Sequence, residues 1–225
     1  MSYSLQTSPK VSAESFHRAF AAFYQFRGKR IFDVVVGGTM LVLAAPVILI
    51  LMAVVAMDGG PAIFAQPRVG RGGRVFPCYK LRTMVPNAAE RLATILASDP
   101  KARAEWERDH KLAVDPRITP IGHFLRRTSL DELPQLWNVV TGEMSLVGPR
   151  PVTRVEMHRY ASDASIYKSV RPGLTGLWQL QGRGRDVTYD ERVAMDVLYA
   201  HTISLAEDIR IMLGTAAVVV RRTGR

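Results

Sequence analysis

A run of 24 residues without a charge, residues 34–57, constrains this chain more than any other feature. As a straight helix it would reach about 36 Å, enough for the ~30 Å hydrocarbon core of a bilayer. A buried core helix is the bland alternative. A cleaved signal peptide fits less well, because apolar sequence continues past Ala44 and Ala45. Pro46 sits near the middle, where it removes a backbone hydrogen bond and crowds the preceding turn. Both flanks are basic: Arg27, Lys29 and Arg30 precede the run, and 25 Lys/Arg against 18 Asp/Glu follow it. Basic flanks stay on the cytoplasmic side, so both ends are expected there. The two observations agree on a helix broken at Pro46 that enters one leaflet and returns. A straight span is the competing geometry, since non-helical backbone in lipid must find internal partners.

Composition narrows the rest. With 225 residues, 48% hydrophobic and 22% charged, the chain is ordered and long enough for one sizeable core. The net charge of +10 calls for a nucleic acid, an anionic membrane surface or a phosphorylated substrate. No recognised nucleic-acid motif is present, so no nucleic-acid partner is expected. A lone cysteine, Cys78, excludes an intramolecular disulfide and reads as a small buried hydrophobe rather than a reactive thiol. Before the apolar run, Phe16, Phe20, Phe23 and Tyr24 share one helical face among Lys10, Arg18 and Arg27. Residues 1–28 are therefore an interfacial helix or an N-terminal tail.

The remainder reads as α+β and mainly helical. Strands at 62–66 and 74–81 flank Gly70-Arg71-Gly72-Gly73, a hairpin turn. With Arg68, Arg71 and Arg74 this turn is either plainly basic or a phosphate cradle, but no Gly-Lys-Ser/Thr follows to make it a P-loop. Asn87 is placed to cap a helix over 88–97, and Asp99 a second one with Pro100 at its first position. Glu105, Glu107 and Asp109 read as a solvated face. Further helices are expected at 121–127, 131–140, 152–160, 190–202 and 205–220. The last begins amphipathic and ends apolar, suiting either the membrane surface or the core.

The densest stretch runs from Arg126 to Asn138. Ser129 with Glu132 three residues later has the spacing of a capping box, and acidic residues suit a first helical turn. The functional alternative is that Asp131 and Glu132 reach one hydrated Mg²⁺, a cation that favours few carboxylates plus substrate phosphates. Arg126 and Arg127 precede this pair, and Gly148-Pro149-Arg150-Pro151, with Arg150 stiffened between two prolines, follows it. A carboxylate can also attack phosphorus as a covalent nucleophile.

These blocks, taken in order, resemble the bacterial sugar transferases known as monotopic phosphoglycosyl transferases. The matching segments are Lys29-Arg30-Ile31-Phe32-Asp33, Pro46, Tyr79-Lys80-Leu81-Arg82-Thr83-Met84, Asp115-Pro116-Arg117-Ile118-Thr119, Ser129 onward to Asn138, Gly142 onward to Pro151, Arg171 onward to Gln179, and Gly182-Arg183. Together they cover roughly 29–220. The resemblance implies a tail at 1–28, a re-entrant membrane helix at 29–58 and a catalytic domain at 59–225, with amphipathic interfacial helices around a cytoplasm-facing site at the bacterial inner membrane. It implies Mg²⁺-dependent transfer of a hexose-1-phosphate from a UDP-sugar, glucose or galactose, to undecaprenyl phosphate, with release of UMP, as the first membrane step of exopolysaccharide synthesis. Carried over by motif, Asp131 is the nucleophile that forms a covalent phosphosugar intermediate. Glu132 shares the metal with it, Lys80, Arg126 and Arg150 contact phosphates, and Gln179 and Arg183 contact the nucleotide. A homodimer is compatible with this reading. One departure concerns the membrane break: Ala45 stands where many members have serine, so the break rests on Pro46 alone. With 28 residues before the first motif, the chain reads as the minimal catalytic unit. Two rivals are a basic membrane-anchored adaptor and a lipid-phosphate hydrolase using the same carboxylates.

Overall fold

In the computed structural model, which describes residues 20, 22–109, 112–182 and 187–220, the apolar run is a single helix. A π-helical turn at Tyr24–Gly28 leads into α1, Lys29–Ala56, which carries Pro46 inside it. The two helices expected on either side of Pro46 are thus one element. Proline removes one hydrogen bond, and the intact bonds above and below hold a long apolar helix together. Phe16, and with it most of the expected interfacial helix, lies outside the described residues.

One stripe of α1 faces protein along the whole helix. Asp33, Gly37, Leu41, Ala44, Ile48, Leu51 and Val55 recur every three or four residues and are buried or half-buried. Phe32, Val36, Leu41 and Ala44 pack against the main core, and Leu51, Met52 and Val55 against a second cluster with Leu81 and Leu125. The opposite face exposes Val35, Val42, Leu43, Leu49 and Ile50. That continuous apolar surface is larger than a water-facing helix normally presents.

Polar clamps fix both ends of α1. At the start, the Arg30 guanidinium donates to the carbonyls of Val139 and Val140 at 2.6 and 2.7 Å. Asp33 accepts from Ser145 Oγ and Leu146 N, both at 2.9 Å. The buried Asp208 accepts from Tyr24 Oη at 2.6 Å, Tyr199 Oη at 2.6 Å and Lys29 Nζ at 2.5 Å. At the far end Arg82 pairs with Asp58 and donates to the carbonyls of Val55, Pro61 and Met84.

Beyond α1 comes the expected hairpin. Strands β1 (Ile63–Val69) and β2 (Val75–Leu81) pair antiparallel, from Ile63 opposite Leu81 to Val69 opposite Val75. Helices α2 (Ala88–Ser98) and α3 (Pro100–Asp109) follow. Asp99 caps α3 through the Lys101 and Ala102 amides, whereas the Asn87 side chain makes no cap bond to α2. Helix α4 (Pro120–Thr128) starts at Thr119, whose hydroxyl accepts from Gly122 N. The helix expected at 131–140 is instead a 3-10 turn at Leu130–Glu132 and then α5 (Gln135–Thr141), because Pro134 has no N–H to carry one helix through.

A second, parallel sheet is absent from the sequence reading. Strand β3 (Ser145–Val147) pairs with β4 (Gly173–Thr175), Ser145 opposite Gly173 and Val147 opposite Thr175. Between them lie α6 (Arg154–Met157), a 3-10 turn at His158–Asp163 and α7 (Ala164–Ser169), where one helix over 152–160 is expected. Helices α8 (Leu177–Gln181), α9 (Tyr189–Thr202) and α10 (Leu205–Val220) close the fold. Helix α10 packs into the core through the fully buried Ile211 and Asp208, which settles its placement for its first two turns.

Candidate active site

Strands β1, β2 and β4, the turn after α4, the start of α5, the loop after β3 and helix α8 converge on one cleft. Strand β2 contributes Lys80. Helix α4 ends at Ser129, which adopts a left-handed conformation with φ 57° and turns the chain into Leu130–Glu132. The capping-box reading of Ser129 and Glu132 fails here, because the Ser129 hydroxyl makes no cap bond and Glu132 reaches elsewhere. The capping boxes lie at Thr153–Glu156 and Thr188–Glu191. Ser129 is occupied as the residue that terminates α4, and a residue in the left-handed region cannot present its side chain as an N-cap does.

Released from capping, the two carboxylates share a cation. Lys80 Nζ donates to Glu132 Oε1 at 2.6 Å and lies 3.9 Å from Asp131 Oδ2. Asp131 is buried, and that burial pushes its carboxyl above the ordinary aspartate range; Lys80 pulls it back, Glu132 adds to the rise and Arg126 opposes it. A desolvated carboxylate held between a cation and a second carboxylate is a typical setting for a reactive group.

Arg68, Cys78, Lys80, Glu132, Gln135, Arg150, Pro151, Gly173, Leu174 and Gln179 line the cleft, whose volume is about 30 Å³. It is narrow in this conformation. A roomier cavity of about 330 Å³ between α2, α3 and residues 112–116 brings together no such set of groups, so chemistry decides in favour of the narrow one. The Arg150 guanidinium stands over the Trp178 ring at 5.5 Å, and Arg192 over the same ring at 4.8 Å. The backbones of Gly148 and Gly173 touch: a Cβ on Gly173 would fall 2.1 Å from the Gly148 amide nitrogen. Only glycine lets the loop before Arg150 close on β4.

Of the residues expected from sequence, Glu132, Lys80, Arg150 and Gln179 line the cleft, and Asp131 stands just behind them, 3.9 Å from Lys80 Nζ. Arg126 does not line the cleft; its Nε donates to Thr83 Oγ1 at 2.9 Å, and it acts on Asp131 electrostatically. Arg183 lies outside the described residues. Pro46 is on the exposed face of α1. Cys78 is buried, and burial pushes its thiol up to about 11, as befits a hydrophobe rather than a nucleophile. Arg68, read from the sequence as part of a basic turn or phosphate cradle, is held by Glu156 and the Pro151 carbonyl and lines the cleft. Gln135 and Trp178 were missed as site residues. The signal for Gln135 was its place just after Pro134, at the start of the helix that follows the Asp131 turn.

The donor set can be tested against Mg²⁺. Among the described residues no three His, Cys, Asp or Glu side chains gather at one point. Two adjacent carboxylates beside cations suit a hard cation that takes one or two protein oxygens and completes its shell from water and substrate phosphate. Asp131 and Glu132 fit that requirement.

Comparison with known proteins identifies the family. The family model described as bacterial sugar transferase matches residues 24–222. The chain is 54% identical over 196 residues to the undecaprenyl-phosphate galactose phosphotransferase of Salmonella typhimurium, covering 87% of this chain and 41% of that one. It is 45% identical over 197 residues to the exopolysaccharide production protein ExoY of Sinorhizobium fredii, covering 87% of each. It is 39% identical over 195 residues to the UDP-glucose:undecaprenyl-phosphate glucose-1-phosphate transferase of Caulobacter vibrioides, covering 83% of this chain and 67% of that one. The chain thus spans about two fifths of the Salmonella relative and most of ExoY.

Proposed function

The chain belongs to the bacterial sugar transferase family, and on that premise we propose that it transfers a hexose-1-phosphate from UDP-glucose or UDP-galactose to undecaprenyl phosphate. The observation that carries this reading is the cleft itself: a buried Asp131 beside Glu132 and Lys80, facing Arg68 and Arg150. Cations there neutralise a diphosphate, and the carboxylate faces its phosphorus.

In this reading an Asp131 carboxylate oxygen attacks the β-phosphorus of the donor. The bond from that phosphorus to the oxygen bridging it to the α-phosphorus breaks, and UMP leaves with the electron pair. A phosphate oxygen of the lipid acceptor then attacks the same phosphorus and releases Asp131. Two displacements let soluble donor and membrane acceptor use one site in turn. Glu132 and Asp131 would hold Mg²⁺, which supplies charge neutralisation at the departing phosphate. Lys80 keeps the two carboxylates together before the donor arrives.

The fold supports a monotopic placement at the cytoplasmic leaflet. Protein covers one stripe of α1 from Asp33 to Val55, so the helix runs along the catalytic part instead of projecting away from it, and its apolar outer face is left for lipid. A basic chain of +10 then sits on an anionic surface.

The test is a donor screen with the purified full chain, Mg²⁺ and polyprenyl phosphate, following UMP. Expected are UMP release with one UDP-hexose, its loss in chelator with recovery on adding Mg²⁺, and labelled sugar-phosphate retained on the protein when acceptor is withheld. Asp131→Asn should abolish both label and turnover. Near-normal transfer by that variant would remove Asp131 as nucleophile, and phosphate release without acceptor would point to a hydrolase.

A further inference from the structure

Deep beneath the cleft, helix α9 carries a carboxylate that the proposed chemistry does not use. Asp196 is 2% exposed in mid-helix, where an unpartnered charge would be costly. Its Oδ2 accepts from Tyr160 Oη at 2.7 Å and faces the Arg150 amide at 3.4 Å, while its Oδ1 is buried without a partner. The sequence explains why this amide needs a partner from outside its loop. Pro149 and Pro151 have no N–H, so Arg150 supplies the only amide donor between Gly148 and Val152.

The other side of the same peptide is held as well. Tyr167 Oη lies 3.2 Å from the Arg150 carbonyl and 2.9 Å from that of Val69, and accepts from Val152 N at 3.3 Å. The rings of Tyr160 and Tyr167 meet edge to face at 4.9 Å, so the two phenols form one support. Asp196 and Tyr167 thus hold the backbone of Arg150 from its two sides, Tyr160 holds Asp196, and Trp178 receives the Arg150 guanidinium.

We propose that Asp196 and Tyr160 are positioning residues for Arg150, fixing the backbone from which its guanidinium reaches the diphosphate of a nucleotide donor. The inference rests on the functional reading above and adds to it residues remote from the reacting atoms. The ionisable groups facing Asp196 are Arg150 from the loop, Tyr160 from the 3-10 turn, Tyr167 from α7 and Tyr189 from the start of α9. Burial raises the Asp196 carboxyl to about 7, against the pull of the Tyr160 hydroxyl and Arg150, so its charge changes near neutral pH. The ionised form is the stronger acceptor. Donor affinity therefore weakens as pH falls through that value.

The experiment is calorimetric titration of the full chain in nanodiscs with UDP and Mg²⁺ at pH 8 and pH 6. Asp196→Asn keeps an acceptor oxygen but loses its charge, so it should weaken UDP binding about fivefold at pH 8. It should also remove most of the pH dependence. Tyr160→Phe, which deletes one hydroxyl, should weaken binding in the same direction and serves where Asp196→Asn does not fold. In an Arg150→Ala background neither substitution should weaken binding further, because their effect passes through Arg150. Unchanged UDP affinity in both variants, or equal losses with and without Arg150, overturns the inference alone. Failure of the wild-type chain to bind UDP overturns the functional reading and this inference with it.

Discussion

Replacing Asn138 with leucine removes a side chain whose hydrogen bonds tie α5 to β2. Asn138 is fully buried; its amide donates to the Pro77 carbonyl at 2.8 Å and to Glu143 at 2.5 Å, and its carbonyl accepts from Tyr79 N at 3.1 Å. Leucine nearly matches its volume, so the loss is of bonds rather than packing. The Tyr79 amide then stays buried without an acceptor, at a cost of ~1–3 kcal/mol. Pro77 and Glu143 lose a donor, but Pro77 is exposed and water can replace the bond in part. The sum is ~2–4 kcal/mol, which for a chain of this size lowers Tm by ~4–16 °C. Function should fall too, since Tyr79 adjoins Lys80 and α5 follows the Asp131 turn, so the tie sets the spacing between them. Thermal unfolding of the membrane-reconstituted chain, followed by tryptophan fluorescence, measures the first effect, and UMP release at a temperature where both forms are folded measures the second. A Tm within about 2 °C of wild type would refute the argument, since unsatisfied burial predicts more. Asn138→Asp should be worse than leucine, because it sets a second carboxylate against Glu143.

Gly37→Val should separate α1 from α5, because a Cβ there already meets Val139 Cγ1 at 2.9 Å; overpacking of this kind costs ~1–3 kcal/mol, read as a lowered Tm. Asp115→Asn removes a two-bond pairing with Arg117, Nε at 2.8 Å and Nη2 at 2.7 Å. The Arg117 hydrogen bonds hold the Asp115 carboxyl below its ordinary value, so the pairing stabilises above the unfolded carboxylate pKa and its contribution is lost as pH falls through the folded one. Wild type and variant should therefore differ by about 1 kcal/mol at pH 7 and converge in strong acid. Gly173→Ala should prevent the contact with Gly148 and abolish UMP release, and normal release by that variant would show that the parallel β3–β4 pairing is dispensable.

Pattern-bearing features were legible in the sequence. The β1–β2 hairpin and the last two helices follow from turn glycines and apolar periodicity, and Lys80, Glu132, Arg150 and Gln179 were implied by the resemblance to a family. What stayed hidden depends on partners distant in the chain. Strands β3 and β4 have three residues each and are buried on both faces, too short to show alternation. Ser129 and Glu132 have capping spacing, but the local pattern says nothing of Lys80, which recruits Glu132 from 52 residues away. Asp33, Asp196 and Asp208 carry no local sign of burial, yet each is buried because a hydroxyl, amide or ammonium from another element meets it. Pro46 marked a break by its type, while the continuity of α1 depends on the packing of the whole helix.

The clamp on Asp208 sets an order of events during synthesis. Tyr24, which bonds Asp208, is made 184 residues earlier. At ~5–20 residues per second a ribosome takes ~10–40 s to cover that interval. For part of it the apolar helix exists while residues that cover its inner stripe, such as Leu125, Val139 and Leu146, are still to be made. A nascent chain left in the cytosol for that time would expose two apolar faces, the inner one awaiting protein and the outer one that never receives it. Delivery to the bilayer while the chain is still growing would shelter both, and the catalytic part would then assemble onto a helix already parked in lipid. Membrane recruitment is on this account a folding requirement as much as a matter of address.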